Sequence, residues 1–105
     1  MEFSDKVFEI CKRIPKGKVV TYGDIAKALG SKASRAVGQA LNKNPYGAWS
    51  CNDERMVPCH RVVNSDGTLG GFALGEEVKK AILKKEGIYL AEGKIKNFEE
   101  KKHYF

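Results

Sequence analysis

Gly30 separates two short helical segments, and this arrangement constrains the fold more than any other feature of the sequence. Thr21 is expected to cap a helix that runs through Leu29, and Gly30 ends that helix. Ser31 or Ser34 is expected to start the next helix. Two short helices joined by a tight glycine-containing turn are typical of a helix-turn-helix.

The other segments are assigned from hydrophobic spacing and from turn residues. In chain order they are an amphipathic helix from Ser4 to Ile14 with Ser4 as its N-cap, a break at Pro15-Lys16-Gly17-Lys18, a short extended piece at Val19-Val20, a loop from Asn44 to Arg55, a cysteine segment from Val57 to Val63, a turn at Asn64-Ser65-Asp66-Gly67, a glycine-rich loop from Leu69 to Gly75, and a helix from Glu76 to Glu86. Val78, Ile82 and Leu83 have the helical spacing of a buried face in that last helix. The stretch from Ile88 to Phe105 either packs back or frays.

The length and charge of the chain limit its organisation and its partners. A chain of 105 residues is long enough for one compact domain and too short for two, so we expect a single domain over residues 1–105, with the C-terminal tail at about 90–105 as a candidate mobile segment. The 19 lysines and arginines exceed the 13 aspartates and glutamates, giving a formal net charge of +6. This balance favours a polyanionic partner such as nucleic acid, with solvated surface lysines as the equally weighted alternative. No segment has the length of a signal or a membrane span, so we expect an intracellular protein with no membrane partner.

The run Pro58-Cys59-His60-Arg61 places a thiol beside a base and a positive charge. A thiol attacks as the thiolate, and its ordinary pKa of about 8.5 keeps it mostly protonated at neutral pH unless such groups stand close. His60 and Arg61 are candidates for both roles. Glu86 is a candidate for the acid that orients His60, and a solvent-exposed Glu86 is the alternative.

The three cysteines are interpreted as free thiols that bind no metal. Three cysteines, an odd number, favour free thiols over a disulfide framework. Cys11 falls on the apolar face of the first helix and is expected to be a buried core thiol. A zinc site from Cys51, Cys59 and His60 is disfavoured, because the spacing matches no compact Cys-x-x-Cys arrangement.

The second helix of the pair is built from small residues around one arginine, Arg35. Its small members are Ala33, Ser34, Ala36, Gly38 and Ala40. Small side chains suit a helix that lies in the minor groove of DNA, because they let the backbone approach closely. Arg35 is then a candidate to enter the base stack and fill the space of an extruded nucleotide. The alternative is a small-residue helix packed tightly against its neighbour, with Arg35 on the surface.

Taken together, these motifs resemble the O6-alkylguanine-DNA alkyltransferase family over residues 3–90. The matching runs are Thr21-Tyr22-Gly23-Asp24-Ile25-Ala26, Arg35-Ala36-Val37-Gly38-Gln39-Ala40-Leu41, Asn44-Pro45, Pro58-Cys59-His60-Arg61-Val62-Val63 and Glu86-Gly87. The resemblance implies a mostly α fold with a small β wing, a winged helix-turn-helix DNA-binding domain. It implies a protein that binds double-stranded DNA with alkylated guanine through the minor groove, flips the damaged nucleotide and transfers its alkyl group irreversibly from guanine O6 to cysteine. It implies no metal and no organic cofactor, and we expect a cytoplasmic, nucleoid-associated monomer, or a nuclear one in a eukaryote.

The resemblance also implies a role for each matching position. Cys59 is the alkyl acceptor, His60 its base through a bridging water, Glu86 the acid that orients His60, and Asn44 the brace between the recognition helix and the active-site segment. The DNA-binding residues are Tyr22, Ser34, Arg35, Ala36, Gly38, Gln39 and Arg61, with Arg35 as the finger that replaces the flipped base. The substrate-binding residues are Tyr22, Val62 through its backbone, Phe72 and Ala73.

Three departures from the family pattern bear on activity. The chain begins at the DNA-binding domain, as in the small alkyltransferase-like proteins, yet those relatives typically carry tryptophan where this chain has Cys59. The connection from Pro45 to Pro58 is about twice the usual length. The loop reads Gly71-Phe72-Ala73 where alkyltransferases commonly have tyrosine and serine, so Ala73 lacks a hydroxyl, and one missing hydrogen bond typically costs about 0.5–1.5 kcal/mol.

Two other functions remain as alternatives to an alkyltransferase. One is a module that flips and holds alkylated bases for another repair pathway, with Cys59 nearly inert. The other is an ordinary sequence-specific helix-turn-helix regulator, which the small-residue helix disfavours.

Overall fold

The computed structural model describes residues 2–44, 47, 56–72 and 74–105. In chain order the elements are α1 (Phe3–Cys11), β1 (Val20–Thr21), α2 (Tyr22–Ala28), α3 (Ser34–Asn42), a 3₁₀ turn (Cys59–Arg61), β2 (Val62–Val63), α4 (Glu76–Lys85), β3 (Leu90–Ala91), β4 (Lys94–Ile95) and α5 (Phe98–Lys101). Across these ranges no helix is both long and apolar enough to cross a membrane.

Helices α2 and α3 form the helix-turn-helix that the sequence predicts. The Thr21 side chain accepts a hydrogen bond from the Asp24 backbone at 3.0 Å, and the Asp24 carboxylate accepts one from the Thr21 backbone at 3.0 Å, so a complete capping box starts α2. Gly30 then takes a positive φ of 72°, which a glycine adopts without strain. Helix α3 begins at Ser34, one of the two predicted starts, and its N-cap residue Ala33 has no side chain to accept a hydrogen bond.

Helix α1 packs against both α2 and α3 and closes the larger of two apolar clusters. It begins at Phe3 with Glu2 as its N-cap, so the predicted cap at Ser4 is wrong. The buried members of this cluster are Val7, Ile10, Cys11, Ile14, Val20, Ile25, Ala26, Val37, Ala40, Leu41, Val57, Cys59 and Val62. Cys59 therefore belongs to the same packed core as the recognition helix α3, which fixes the position of the cysteine relative to that helix.

The cysteine segment enters the core through a single 3₁₀ turn at Cys59–Arg61. The Cys59 N–H donates to the Val57 carbonyl at 2.8 Å, and the Arg61 N–H donates to the Pro58 carbonyl at 3.0 Å. Strand β2 follows and pairs in parallel with β1, with Val62 opposite Val20. Because a 3₁₀ helix has three residues per turn, the three side chains of this turn point in three directions instead of alternating as on a strand.

The C-terminal segment packs back on the domain. Strands β3 and β4 form an antiparallel hairpin, with Leu90 opposite Ile95. Val19 pairs with Lys102, and its N–H and carbonyl both join this segment through hydrogen bonds of 2.8 Å to the Lys101 carbonyl and from the His103 N–H. The choice between packing and fraying, which the sequence leaves open, is thus settled for the backbone of residues 90–103 in favour of packing.

Helix α4 buries a different face from the one its apolar residues predict. Lys79 and Leu83 are fully buried, Ile82 is half-buried, and Val78 is 37% exposed. The prediction that Val78 lies on the buried face is therefore wrong. Lys79 and Leu83 are one helical turn apart and lie on the same face of α4, so this face, with Lys79 on it, is the one that packs against the interior.

Candidate functional site

Cys59 lies in the interior, beside the end of α3. It is 5% exposed. Asn44, two residues beyond α3, donates from its side chain to the Val57 carbonyl at 3.1 Å and also to the Cys59 thiol. These contacts tie the segment before Cys59 to the end of α3, and the bracing role that the family resemblance implies for Asn44 stays a prediction.

The Cys59 thiol is not ionised by its surroundings in the free protein. Burial raises its pKa above the ordinary value, and the hydrogen bond from Asn44 and the positive charge of Lys79 counteract only part of that effect. Cys11 is buried nearby, and burial raises the pKa of its thiol strongly, as expected for a core cysteine. The expected thiolate therefore requires a proton acceptor at the moment of reaction.

His60, the middle residue of the 3₁₀ turn, lies against Glu86, which follows the last residue of α4. Nε2 of His60 is 3.1 Å from Oε2 of Glu86, an ion-pair distance, although the ring N–H does not point squarely at the oxygen. His60 is fully buried, and its Nδ1 has no hydrogen-bond partner among the described residues. Glu86 favours the tautomer with its proton on Nε2, which leaves Nδ1 as the basic nitrogen.

Arg61 is engaged inside the free protein. It is 8% exposed. Its Nε and Nη2 donate to the two carboxylate oxygens of Glu86 at 2.9 and 2.6 Å, and its Nη1 donates to the Ile14 carbonyl at 2.9 Å. In the free protein the guanidinium faces inward and joins the chain after α1 to the end of α4, while its contact with DNA stays a prediction.

Glu86 is held as a carboxylate by these neighbours. Burial alone would raise its pKa, but the hydrogen bonds from Arg61 and the close approach of His60, together with the charges of both, outweigh burial and lower the pKa to about 2. The carboxylate is thus fully charged at neutral pH and able to stabilise a protonated His60.

Lys79 is a site residue that sequence reasoning missed. It is fully buried, and burial lowers its pKa to about 8. Its Nζ donates to the Leu69 carbonyl, and at 3.4 Å to both the Tyr22 hydroxyl and the Gly71 carbonyl. It also lies 5.7 and 5.9 Å from the ring centroids of Tyr22 and Phe72. The only signal in the sequence was its i,i+4 spacing with Leu83.

A groove of about 710 Å³ lies between the helix-turn-helix and the turn at residues 64–66. Its lining includes five of the residues that the sequence assigns to DNA contact: Tyr22, Ser34, Arg35, Gly38 and Gln39. Ser34, Arg35 and Gln39 are exposed, whereas Ala36 is half-buried and does not line the groove. Their contact with DNA stays a prediction.

Tyr22 connects this groove to Cys59. Its ring lines the groove, its hydroxyl donates to the Gly71 carbonyl at 3.3 Å, and burial followed by the proximity of Cys59 raises its pKa to about 12. Phe72 is half-buried and packs against the core cluster that contains Cys59. Val62 is fully buried in β2, while Ala73 and most of the long connection after Asn44, including Cys51, lie outside the described residues.

The described residues contain no cluster of three His, Cys, Asp or Glu side chains placed to hold a metal ion. The arrangement instead combines a buried thiol, a histidine held by a carboxylate, and a buried lysine next to a solvent-open groove. These groups suit nucleophilic attack by sulfur with proton transfer to imidazole.

Comparison with known proteins places this chain in a family. The model of the 6-O-methylguanine DNA methyltransferase DNA binding domain matches residues 2–88. The methylated-DNA–protein-cysteine methyltransferase of Methanosarcina acetivorans is 47% identical over 87 residues, covering 82% of this chain and 51% of that protein. The protein of the same name from Methanocaldococcus jannaschii is 44% identical, covering 90% of this chain and 51% of that protein. The chain thus spans about half the length of these relatives.

Solved structures agree on the fold. The O6-methylguanine-DNA methyltransferase of Pyrococcus kodakaraensis KOD1 matches with a TM-score of 0.69 and 45% identity, covering 83% of this chain and 47% of that one. S. pombe Atl1, in complex with damaged DNA containing O6-carboxymethylguanine, matches with a TM-score of 0.77 and 37% identity, covering 98% of this chain and 95% of that one. These matches confirm the mostly helical, helix-turn-helix fold with small sheets. The chain belongs to the family of the 6-O-methylguanine DNA methyltransferase DNA-binding domain.

Proposed function

We propose that this protein repairs DNA by accepting the alkyl group of O6-alkylguanine on Cys59. The observation that carries the proposal is the placement of a buried Cys59 thiol beside Asn44 and Lys79, directly before a His60 that Glu86 holds in place. An ordinary structural cysteine in a core has no need of a buried histidine, carboxylate and lysine around it.

The groove supports DNA as the partner. Gly38 lies in the middle of α3, where glycine costs about 0.5–1 kcal/mol relative to alanine. A Cβ at this position would only touch the Tyr22 ring at an ordinary 3.9 Å, so the protein's own packing does not require glycine. A requirement from outside the chain, the close approach of a duplex to the helix, explains it.

The formal net charge of +6 supports the same partner, because phosphate neutralisation supplies most of the sequence-independent affinity for DNA. Arg35 is the long exposed cation of α3 at the groove. We assign to it the space that a flipped nucleotide leaves in the base stack. Tyr22, which stands between the groove and Cys59, has to give up its hydrogen bond to Gly71 for a base to pass.

The chemistry follows from the contacts of four polar groups, which are Cys59, His60, Glu86 and Lys79. Cys59 Sγ attacks the alkyl carbon, the S–C bond forms and the C–O6 bond breaks, with its electron pair remaining on guanine. The thiol proton passes through a bridging water to His60 Nδ1, and the Glu86 carboxylate stabilises the resulting imidazolium. Guanine takes up one proton as it leaves, so the net result is exchange of the thiol hydrogen for the alkyl group.

Lys79 assists this step electrostatically. Its pKa of about 8 leaves it mostly protonated at neutral pH, and its charge lowers the pKa of Cys59. Since the alkylated thioether has no route back to a thiol in this site, each molecule acts once. Phe72 and Ala73 border the base in this proposal, and Ala73 offers only its backbone N–H.

The test is the mass of the protein after incubation with a duplex that contains O6-methylguanine. We expect the Cys59 peptide to gain one methyl group, to a limit of one per protein molecule, and the Cys59→Ser variant to gain none. Cys51→Ser is the matched control and should react as the wild type does. Methylation of any other residue, or none with a fully folded wild type, contradicts the transferase proposal.

The second candidate function is a lesion sensor that binds alkylated bases without reacting. The match to S. pombe Atl1 over 98% of this chain, in a complex with damaged DNA, favours it. The same experiment separates the two functions when binding is measured beside mass. An unmodified Cys59 with tighter binding of the O6-methylguanine duplex than of undamaged DNA identifies the sensor.

A further inference from the structure

The C-terminal hairpin packs on the turn that forms one wall of the groove. The Ile95 N–H donates to the Gly67 carbonyl at 2.9 Å. A Cβ added to Gly67 would lie 3.4 Å from the Phe98 ring and 3.8 Å from the Cβ of Lys94, so the turn and the hairpin touch with no side chain between them. Residues 64–67 and residues 90–98 therefore form one continuous surface, which we call the extended wing.

Lys94 lies on the exposed side of the extended wing. Ile95 is buried, and successive residues on a strand point to opposite faces, so Lys94 projects away from the core. Hydrogen bonds from Thr68 lower the pKa of Asp66, and the charge of Lys94 lowers it further. Asp66 and Arg35 both line the groove, and the Lys94 Cβ lies 3.8 Å from the Cβ position of Gly67, the residue that follows Asp66, so Lys94 stands on the wing side of the groove.

Asp66 is an unexpected side chain in a groove for DNA. Its carboxylate accepts hydrogen bonds from the Thr68 backbone at 3.0 Å and hydroxyl at 2.6 Å, so it shapes the turn. A negative charge there would repel phosphates unless a cation stands beside it. Lys94 is the cation whose charge acts on Asp66, and it comes from a segment outside the family match at residues 2–88.

We propose that the extended wing is part of the DNA interface and that Lys94 contacts a backbone phosphate beside the groove. The inference rests on the proposed function, because it requires the groove to hold a duplex. Phosphates run along both edges of the minor groove, so a duplex seated against Arg35 presents further phosphates to the wing. The contact carries no sequence information and affects all duplexes alike.

The test is the salt dependence of the dissociation constant, measured by fluorescence anisotropy on an undamaged duplex and on the same duplex with O6-methylguanine. Losing one phosphate contact makes the slope of log K against log salt concentration shallower by about 0.9. We expect this change for Lys94→Gln with both duplexes. Lys94→Arg keeps the positive charge and should keep the wild-type slope.

Lys6→Gln is the matched control. Lys6 is an exposed lysine of α1, a helix that contributes no residue to the groove, and the substitution removes the same charge. We expect its slope to equal that of the wild type. A Lys94→Gln slope that equals that of the wild type overturns the proposal, and so does an equal change for Lys6→Gln.

The Asp66→Asn background distinguishes phosphate contact from simple neutralisation of Asp66. If Lys94 touches phosphate, Lys94→Gln makes the slope shallower in this background too. If the effect disappears, Lys94 acts only on Asp66 and the proposal is overturned. The mass of the Cys59 peptide, read in the same samples, separates this proposal from the proposed function. Normal methylation of Cys59 together with a wild-type slope for Lys94→Gln overturns only the proposal for the extended wing. A wild-type protein without salt-dependent DNA binding overturns both proposals.

Discussion

Lys79 allows the electrostatics of the site to be tested through protein stability. Burial lowers its pKa from 10.5 to about 8 in the folded protein, while the unfolded chain keeps the ordinary value. Between these two pH values the unfolded state therefore holds more protons, so the free energy of unfolding rises as the pH rises. The full shift corresponds to about 3 kcal/mol, and the part gained between pH 7 and pH 9.5 is about 2 kcal/mol.

Lys79→Met removes this dependence, and Lys80→Met is the matched control on the same helix, because Lys80 is exposed. The assay is urea denaturation at pH 7 and at pH 9.5 for the wild type and both variants. For this assay Cys59 is replaced by serine in all three proteins, because Lys79 lowers the pKa of its thiol, and the remaining titrating groups then cancel in the comparison. We expect wild type and Lys80→Met to gain about 2 kcal/mol relative to Lys79→Met over this range.

The reasoning is refuted if Lys79→Met gains stability with pH as the wild type does. Lys79 would then be solvated in solution, and its charge would have no special effect on Cys59. A companion measurement follows the rate at which iodoacetamide labels Cys59 near pH 7, read on the Cys59 peptide. Because the ammonium lowers the Cys59 pKa, Lys79→Met should label more slowly than both Lys80→Met and the wild type.

Two further predictions concern the groups that hold the site together. Asn44→Ala removes the donor to the buried Val57 carbonyl and should lower the free energy of unfolding by about 1–3 kcal/mol in urea denaturation; no loss would mean that another donor replaces it. Glu86→Gln leaves the Arg61 guanidinium buried without its partner and should cost about 3 kcal/mol at pH 7. Since the Glu86 pKa falls from 4.5 to about 2, this difference from the wild type is present above pH 4.5 and disappears as the pH falls through 2, and a constant difference would contradict the assignment.

Local signals in the sequence predicted the helix-turn-helix well. Thr21 and Asp24 are three residues apart, and a capping box needs no other part of the chain. Gly30 ends its helix for an equally local reason, its positive φ. Cys59 and His60, which are adjacent in the sequence, also lie close together in the structure, because both belong to one turn of the backbone.

Contacts between distant segments explain what the sequence did not predict. Arg61 pairs with Glu86 across 25 residues, so a charge expected at the surface became an internal link. Lys79 stands between Val78 and Lys80 in the sequence, and hydrophobic spacing assigned the buried face to Val78 instead. The fold buries Lys79 because backbone carbonyls and an aromatic hydroxyl, none of them local, satisfy its ammonium.

The raised pKa of Cys59 bears on how a single-use acceptor keeps its thiol. A cysteine with a permanently low pKa reacts with any small electrophile, and for a protein that acts once each such event is a loss. Burial of Cys59 prevents this in the free protein, since the thiol stays protonated and is 5% exposed. Under the proposed function, His60 takes the proton only when a bound base brings the alkyl carbon against the sulfur. The reactivity of Cys59 toward a small electrophile and its reactivity toward lesion DNA are then independent properties. The rate with lesion DNA should exceed the rate with the small electrophile by far more than ionisation of the thiol alone explains.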